Sequence, residues 1–375
     1  MGAEEKPAVI SNSLNCKSCG AILHYEPGTH QLKCDHCGST NEISSESDDH
    51  EIKAFNYDEF LDSIQNAQIS DSLQSVKCNN CGSVTVLAQN VTAGKCSFCA
   101  SPLVIDLSTD QRYVKPHYVL PFVITQEQAK QEFKQWLKQL SFAPADLIQQ
   151  ADSSSGSPLD GVYLPYWVYD VDAITNYNGE RGVYYWETET YFETVDGEEQ
   201  EMTREVRRTS WFPVFGTVTN FFRNIVIPAS KSLPVKTVNK LGGWDFNKLE
   251  NYDERYVSGF RSETYQVTPE EGLGLAQASL APEINRTIRM DIGGDEQQIM
   301  NSSTELQDIN IKYILLPVWI SSYTYKNKPF QFTINACTGQ VSGARPWSPG
   351  KIIMWVVIIL AIIAGLIYFF GKHHN

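Results

Sequence analysis

The sequence predicts an α+β protein: two small four-cysteine zinc ribbons, then a mixed, β-rich α+β region with a loose internal repeat, then one C-terminal transmembrane helix. Three observations carry this. Paired cysteines recur at one fixed spacing near the start of the chain, a Leu-Pro-x-Trp motif occurs twice downstream, and residues 352–370 are nineteen in a row without a charge.

Cys16 and Cys19 form one CxxC pair and Cys34 and Cys37 a second; Cys78 with Cys81, then Cys96 with Cys99, repeat the arrangement. In each copy fourteen residues separate the two pairs, and the copies lie sixty-two residues apart. A CxxC turn aims two thiolates at one point, and two such turns complete a tetrahedral shell for zinc. The pattern makes eight of the nine cysteines ligands of two zinc ions per chain. Two alternatives use the same residues: a disulfide framework, and a rubredoxin-like iron site. Residues 1–13 hold no apolar run of export-signal type, which favours reduced, metal-bound thiolates over disulfides. A shell filled by four protein ligands leaves no open position, so its expected role is structural. His36, inside the second pair, is then a bystander.

Taken in order, 1–13 is an N-terminal tail and 14–40 the first ribbon, with strands at 21–25 and 31–33 around a Glu-Pro-Gly-Thr turn. The span 41–75 holds an acidic linker and a short helix at 57–67, where Phe60, Leu61 and Ile64 share a face. The second ribbon covers 76–108, with a strand at 84–89 and a turn at 92–94. From 109 to 348 the α+β region falls into approximate halves, 114–210 and 211–348. A strand at 118–125 ends at Thr125, which opens a helix at 126–140 with Ala129, Phe133, Trp136, Leu137 and Leu140 on one side. A strand follows at 162–170. The second half repeats the order: a strand at 256–267, a helix opened by Thr268 and Pro269 and running to about 280, and a strand at 309–325. Leu164-Pro165 before Trp167 is echoed by Leu316-Pro317 before Trp319, which supports duplication. A proline inside each strand predicts an edge position or a bulge. Residues 211–229 are apolar but interrupted by Pro213, Gly216 and Arg223, and read as buried strands rather than a bilayer span. The acidic run 187–201 reads as a solvated hairpin turning at 195–197. Segments 330–335 and 341–343 form a closing hairpin, with Cys337 between them as inert packing.

The net charge is −14. Residues 1–110 carry six Lys/Arg against fifteen Asp/Glu, a balance of −9 over the ribbons. Nucleic-acid affinity rests on neutralising phosphates, so this charge opposes a nucleic-acid role. No GxSxG, HExxH or GxxxxGK[ST] motif is present, and no histidine of the α+β region has an evident nucleophile partner. Asp170, Asp172 and Glu187 are acids that could meet in space. No enzyme is expected. As a helix, residues 352–370 span about 28 Å, matching a hydrocarbon core. Trp355 and the aromatics at 368–370 supply interfacial rings, and Lys351 and Lys372 flank the span. Five residues follow it. This predicts a single-pass protein of the cell membrane, the bulk of the chain cytoplasmic and its C-terminal tail outside.

The chain resembles a family of bacterial membrane-anchored double zinc-ribbon proteins, the YdjG-like proteins, over most of its length. The likeness rests on the paired CxxC ribbons, LPYWVYD at 164–170, YVSGFRSE at 256–263, LPVW at 316–319, CTGQVSG at 337–343 and the C-terminal helix. It departs at Ala100, where glycine is expected after Cys99. The resemblance implies that the eight cysteines bind zinc. It also implies a non-enzymatic adaptor recruiting an SPFH/flotillin-like or phage-shock (PspA-type) partner to the cytoplasmic face in envelope stress. Relatives are often labelled transcription-factor-IIB-type zinc ribbon or replication-restart helicase-like. That label gives the alternative, a membrane-tethered, nucleic-acid-associated replication factor, although the chain holds no helicase motif. The sequence leaves the oligomeric state open.

Overall fold

The computed structural model describes residues 14–43, 52–66, 75–78, 83–86, 93–96, 98, 102–104, 114–144, 146–147, 159–195, 198–238, 240–326 and 328–373. The first ribbon is an antiparallel sheet of β1 (Leu23–Tyr25), β2 (Gln31–Cys34) and β3 (Thr40–Glu42). The third strand was not legible, since Thr40–Glu42 is polar and exposed at both ends. Next come β4 (Phe55–Asn56) and α1 (Tyr57–Asn66), the expected amphipathic helix. Phe60 on its inner face packs edge-on against Trp167 at 6.0 Å. The second ribbon contributes β5 (Ser75–Lys77), β6 (Val84–Val86), β7 (Ala93–Lys95) and β8 (Pro102–Val104). The expected extension of its strand to residue 89 lies outside the described residues. Ala93 and Gly94, read as turn residues, instead pair with Val104 and Leu103.

The α+β region supplies β9 (Tyr118–Val119), α2 (Gln126–Gln139), β10 (Asp160–Val195) and β11 (Glu198–Pro228). A short turn α3 (Val235–Val238), β12 (Glu250–Asn251), α4 (Glu254–Val257) and β13 (Arg261–Glu263) follow. Then come α5 (Pro269–Ile292), β14 (Glu296–Tyr325), β15 (Lys328–Asn335), β16 (Val341–Gly343) and α6 (Pro349–His373). Among the described residues the main sheet runs β12-β9-β14-β10-β13-β6-β5, with β11 beside β10 and β15 beside β14.

β10 and β14 are antiparallel at its centre, with Leu164 facing Leu316. Their residues alternate between two cores. Tyr163, Trp167, Tyr169 and Val171 enter one, with ribbon 1 and α5, while Val162, Leu164, Tyr166 and Val168 enter the other, with Cys78, Cys96 and Phe98 of ribbon 2. Burial on both faces explains why 162–169 is apolar without alternation.

The repeat is visible in matched hydrogen bonds. β13 runs parallel to β10, with Arg261 opposite Val162, and β9 runs parallel to β14, with Tyr118 opposite Ile314. The Trp167 indole donates to the Val267 carbonyl and the Trp319 indole to the Ile124 carbonyl, each at 2.8 Å. Those carbonyls immediately precede Thr268 and Thr125, and each threonine N-caps its helix through a capping box. The two halves are thus related by a quasi-twofold through the Leu164–Leu316 pair.

Several expectations need correction. The prolines do not lie on edge strands: Pro165 of β10 stands opposite Leu315 of β14, and Pro317 of β14 opposite Tyr163 of β10. Each sits where its strand changes outer partner, β13 to β11 or β9 to β15, and each carbonyl accepts from an alanine, Ala229 or Ala336. A missing N–H costs no ladder bond at such a gap. The strand read at 118–125 is confined to β9, because Val123 and Ile124 both donate to the Ala336 carbonyl rather than to a strand. The strand read at 256–267 is the turn α4 followed by the short β13, since Asp253 caps a helical start. The helix expected to stop near 280 continues to Ile292. Ala276, Leu280, Ile284, Ile288 and Ile292 keep one buried stripe while Pro282 faces solvent. The division at 210/211 falls inside β11, and that strand is not buried as expected: Val218 and Ile227 are, but Phe215 is 76% exposed. The acidic run does form the β10–β11 hairpin, with Val195 opposite Glu198; residues 196 and 197 of its expected turn lie outside the described residues. α6 is long and apolar enough to cross a membrane: Pro349–Leu366 has a mean hydropathy of 2.3 and none of it is buried against the rest of the chain.

Candidate metal centre

In ribbon 1 each CxxC turn is built the same way. The Cys16 amide donates to the Ala21 carbonyl and the Gly20 amide to the Cys16 carbonyl; the Cys34 amide donates to Ser39 and Gly38 to Cys34. Gly20 and Gly38 close these turns at φ of +79° and +74°, a conformation that favours glycine. The turns bring Cys16, Cys19, Cys34 and Cys37 together, with all four sulfurs within 4.8 Å of one another. Cys16 Sγ lies 3.6 Å from Cys37 Sγ, and Cys19 Sγ 3.5 Å from Cys34 Sγ. Four thiolates at about 2.3 Å from one ion stand roughly 3.8 Å apart in a tetrahedron. The set therefore fits a metal ion of zinc's size and thiol preference.

The Ser39 hydroxyl lies 3.0 Å from Cys16 Sγ and 3.1 Å from Cys37 Sγ. It pulls the Cys16 thiol down to about 5 and lowers that of Cys37, favouring the thiolates a metal requires. Against the pull of the Ala21 backbone amide, the hydrogen bond with Cys34 and burial raise Cys19 to about 12. His36 stays outside the cysteine group.

In ribbon 2, Cys78 and Cys96 are buried, and the Cys78 amide donates to the Ser83 carbonyl, as the first turns of ribbon 1 would require. The Ser83 hydroxyl lies 3.2 Å from Cys96 Sγ. Cys81 and Cys99 lie outside the described residues. The two serines were overlooked in the sequence although a signal existed: a Cys-Gly-Ser triplet stands at 37–39 and again at 81–83.

A second feature missed by motif reading is what holds the ribbons. The YVSGFRSE stretch touches both. The Tyr25 amide donates to the Ser258 carbonyl and the Ser258 hydroxyl to the Leu23 carbonyl. Gly259, at φ +88°, lets His24 lie against the backbone: a Cβ there would come within 2.9 Å of the His24 side chain. Three residues on, Ser262 and Glu263 pair with Val86 and Thr85 of ribbon 2. This single segment clamps ribbon 1 and ribbon 2 to the sheet.

The acids singled out in the sequence do not come together. Asp170 is paired with Lys312 at 2.9 Å, Asp172 with Arg223 at 2.8 Å, and Glu187 with Arg208 at 3.1 Å, so the three acids meet bases rather than each other. His117 is stacked on Phe55 and accepts the Tyr313 amide on Nδ1; burial brings its imidazole down to about 4. Burial likewise pushes the Cys337 thiol up to about 12, which makes it a poor nucleophile.

Glu263 is the exception to ordinary packing. It is buried, its Oε1 accepts from Ser232 and from Gln266 at 2.9 Å, and its Oε2 has no partner. In the other half of the repeat Leu120 occupies the matching place. Burial raises the Glu263 carboxyl from 4.5 to about 7. Below pH 4.5 it is protonated in folded and unfolded chains alike and costs nothing. As the pH rises towards 7 the unfolded chain gives up the proton first, so stability falls, by on the order of 3 kcal/mol, and then levels off. Glu263→Gln should flatten this slope. Denaturant midpoints at pH 5 and pH 8 that fall equally in both proteins would refute it.

The chain resembles YdjG. Over 345 residues, 92% of this chain and 92% of the relative, it is 25% identical to the "Uncharacterized protein YdjG" of Bacillus subtilis (strain 168). A likeness of this extent supports a YdjG-like family. No protein-family model matches the chain, and no solved structure matches it.

Proposed function

We propose that this protein is a non-enzymatic, membrane-anchored adaptor. Two zinc ions hold its ribbons: Cys16, Cys19, Cys34 and Cys37 bind one, and Cys78, Cys81, Cys96 and Cys99 the other. The ribbons and the α+β body face the cytoplasm, α6 spans the cell membrane once, and the short tail lies outside. The body recruits a protein partner to the membrane, and the resemblance to YdjG-like proteins points to an SPFH/flotillin-like or PspA-type partner in envelope stress. The observation that carries this reading is the joint docking of both ribbons onto one segment of a body that ends in an uncovered apolar helix. Such metal sites stabilise a surface rather than perform chemistry.

The test is a crosslinked pull-down from solubilised membranes with the full chain and with a version ending at Ser348. An SPFH- or PspA-type protein bound by both versions, yet found at the membrane only with the full chain, is the expected result. Recovery of that partner at the membrane without α6 would overturn the anchoring role. Salt-sensitive recovery of nucleic acid or replication proteins would replace the adaptor with the nucleic-acid-associated alternative.

A further inference from the structure

Along its whole length β11 pairs with β10 on one side and, among the described residues, with no strand on the other. β14 accompanies β10 only as far as the Gly182–Glu296 pair. Beyond it lies an arm of two strands, 183–195 of β10 against 198–210 of β11, thirteen residues each. At about 3.3 Å per residue the arm reaches roughly 43 Å from the body. Both of its faces are open: Trp186 is 66% exposed on one and Tyr185 45% on the other. A two-stranded hairpin is marginal in water by itself, and a free edge offers its N–H and C=O groups to a further strand.

The charges along this edge are ordered. Glu198, Glu199 and Glu201 lie at the tip, and Arg204, Arg207 and Arg208 follow towards the body. A strand that is acidic first and basic second is complementary to its own antiparallel copy.

We propose that a second copy of this chain docks on the arm by antiparallel pairing of the two β11 edges, centred on Thr203. In that register Glu198 faces Arg208 of the second copy and Glu199 faces Arg207, and the twofold repeats both pairs. Glu201 meets Glu205, the like-charged position of the seam, one step from Arg207 on the same face. Arg208 already holds Glu187 and Glu189 within its own arm, so the new carboxylate completes a shared network. Arg207 lies over the Tyr184 ring at 4.2 Å, which fixes it beside the seam. The result is a continuous four-stranded sheet in which the two central strands have no free edge, an isologous contact of the kind that closes dimers.

The experiment uses the full chain in detergent micelles, with mass and dissociation measured by light scattering. The wild type is expected to be a dimer. Arg207→Glu/Arg208→Glu and Glu198→Arg/Glu199→Arg should each weaken it by at least about tenfold. An equimolar mixture of the two variants, differently tagged, should recover a mixed dimer of near wild-type affinity. A photo-crosslinking residue at Thr203, which changes no charge, should yield a dimeric adduct, and one at Thr217 should not. A monomeric wild type would overturn the proposal. So would a dimer that both variants retain unchanged without a Thr203 adduct, which would move the contact to α6 or to the exposed aromatic rings.

Discussion

Replacing Cys34 by serine is expected to lower the zinc content from two ions per chain to one and to release ribbon 1 from the body. Cys34 is fully buried between β2 and the second turn. A structural zinc site contributes about 10–16 kcal/mol of apparent binding free energy, more than a ribbon of this size gains from its own apolar core. Leu23, Tyr25 and Leu32 belong to the same core cluster as the sheet, so loss of the metal should expose them and the Tyr256 and Phe260 rings they cover. Metal analysis by mass spectrometry with limited proteolysis of residues 14–43 measures both effects. Cys78→Ser should remove the other ion, and Cys337→Ser neither. A wild-type protein that purifies with iron, or with no metal, would sink the zinc assignment.

The second large effect is expected at Trp167. Its side chain is completely buried, it touches Tyr265 and Tyr313 within 5.0 Å, and its indole satisfies the carbonyl that precedes the cap of α5. Trp167→Ala should cost about 3–5 kcal/mol, the cost of a large aromatic cavity. Trp167→Phe should cost about 1–3 kcal/mol, the penalty for leaving the Val267 carbonyl unpaired. Trp319 plays the matching part before α2, but retains some exposure, so Trp319→Ala should cost less. Denaturant unfolding of the full chain in detergent, at matched protein concentration, measures the difference. Equal losses at the two tryptophans would show that the repeat divides the load evenly.

The local parts of the fold were legible because each follows from neighbouring residues. The cysteine spacing of ribbon 1, both capping-box threonines and the 352–370 run are short-range patterns, and the structure brings those four cysteines together, starts a helix after each threonine and has a helix over that run. Pro165 and Pro317 misled because proline reports a missing donor, not which strand lies opposite it. The edge was inferred from the residue, whereas the gap between successive partners is a property of the sheet. The end of α5 was placed too early, since only the packed sheet shows that the buried stripe continues to Ile292 while Pro282 faces water. Of the site, the four cysteines that ribbon 1 brings together were visible, but the clamp at 256–263 was not. Ser258 holds ribbon 1 through a hydroxyl and a carbonyl, and nothing in a serine's identity announces a contact more than 200 residues away in sequence.

The exchange of β9 and β13 between the halves has a consequence for biosynthesis. β9 joins the centre of the sheet through β14, with β12 on its other side, and β13 joins it through β10, with β6 on its other side. When the ribosome has made the first half, its opening strand has no edge to join. The partner edge of β14 appears only after α5 has been made. Long-range closure of this kind slows folding and prolongs the exposure of unpaired strands. A chain cut between the halves would therefore inherit two incomplete sheets rather than one finished domain.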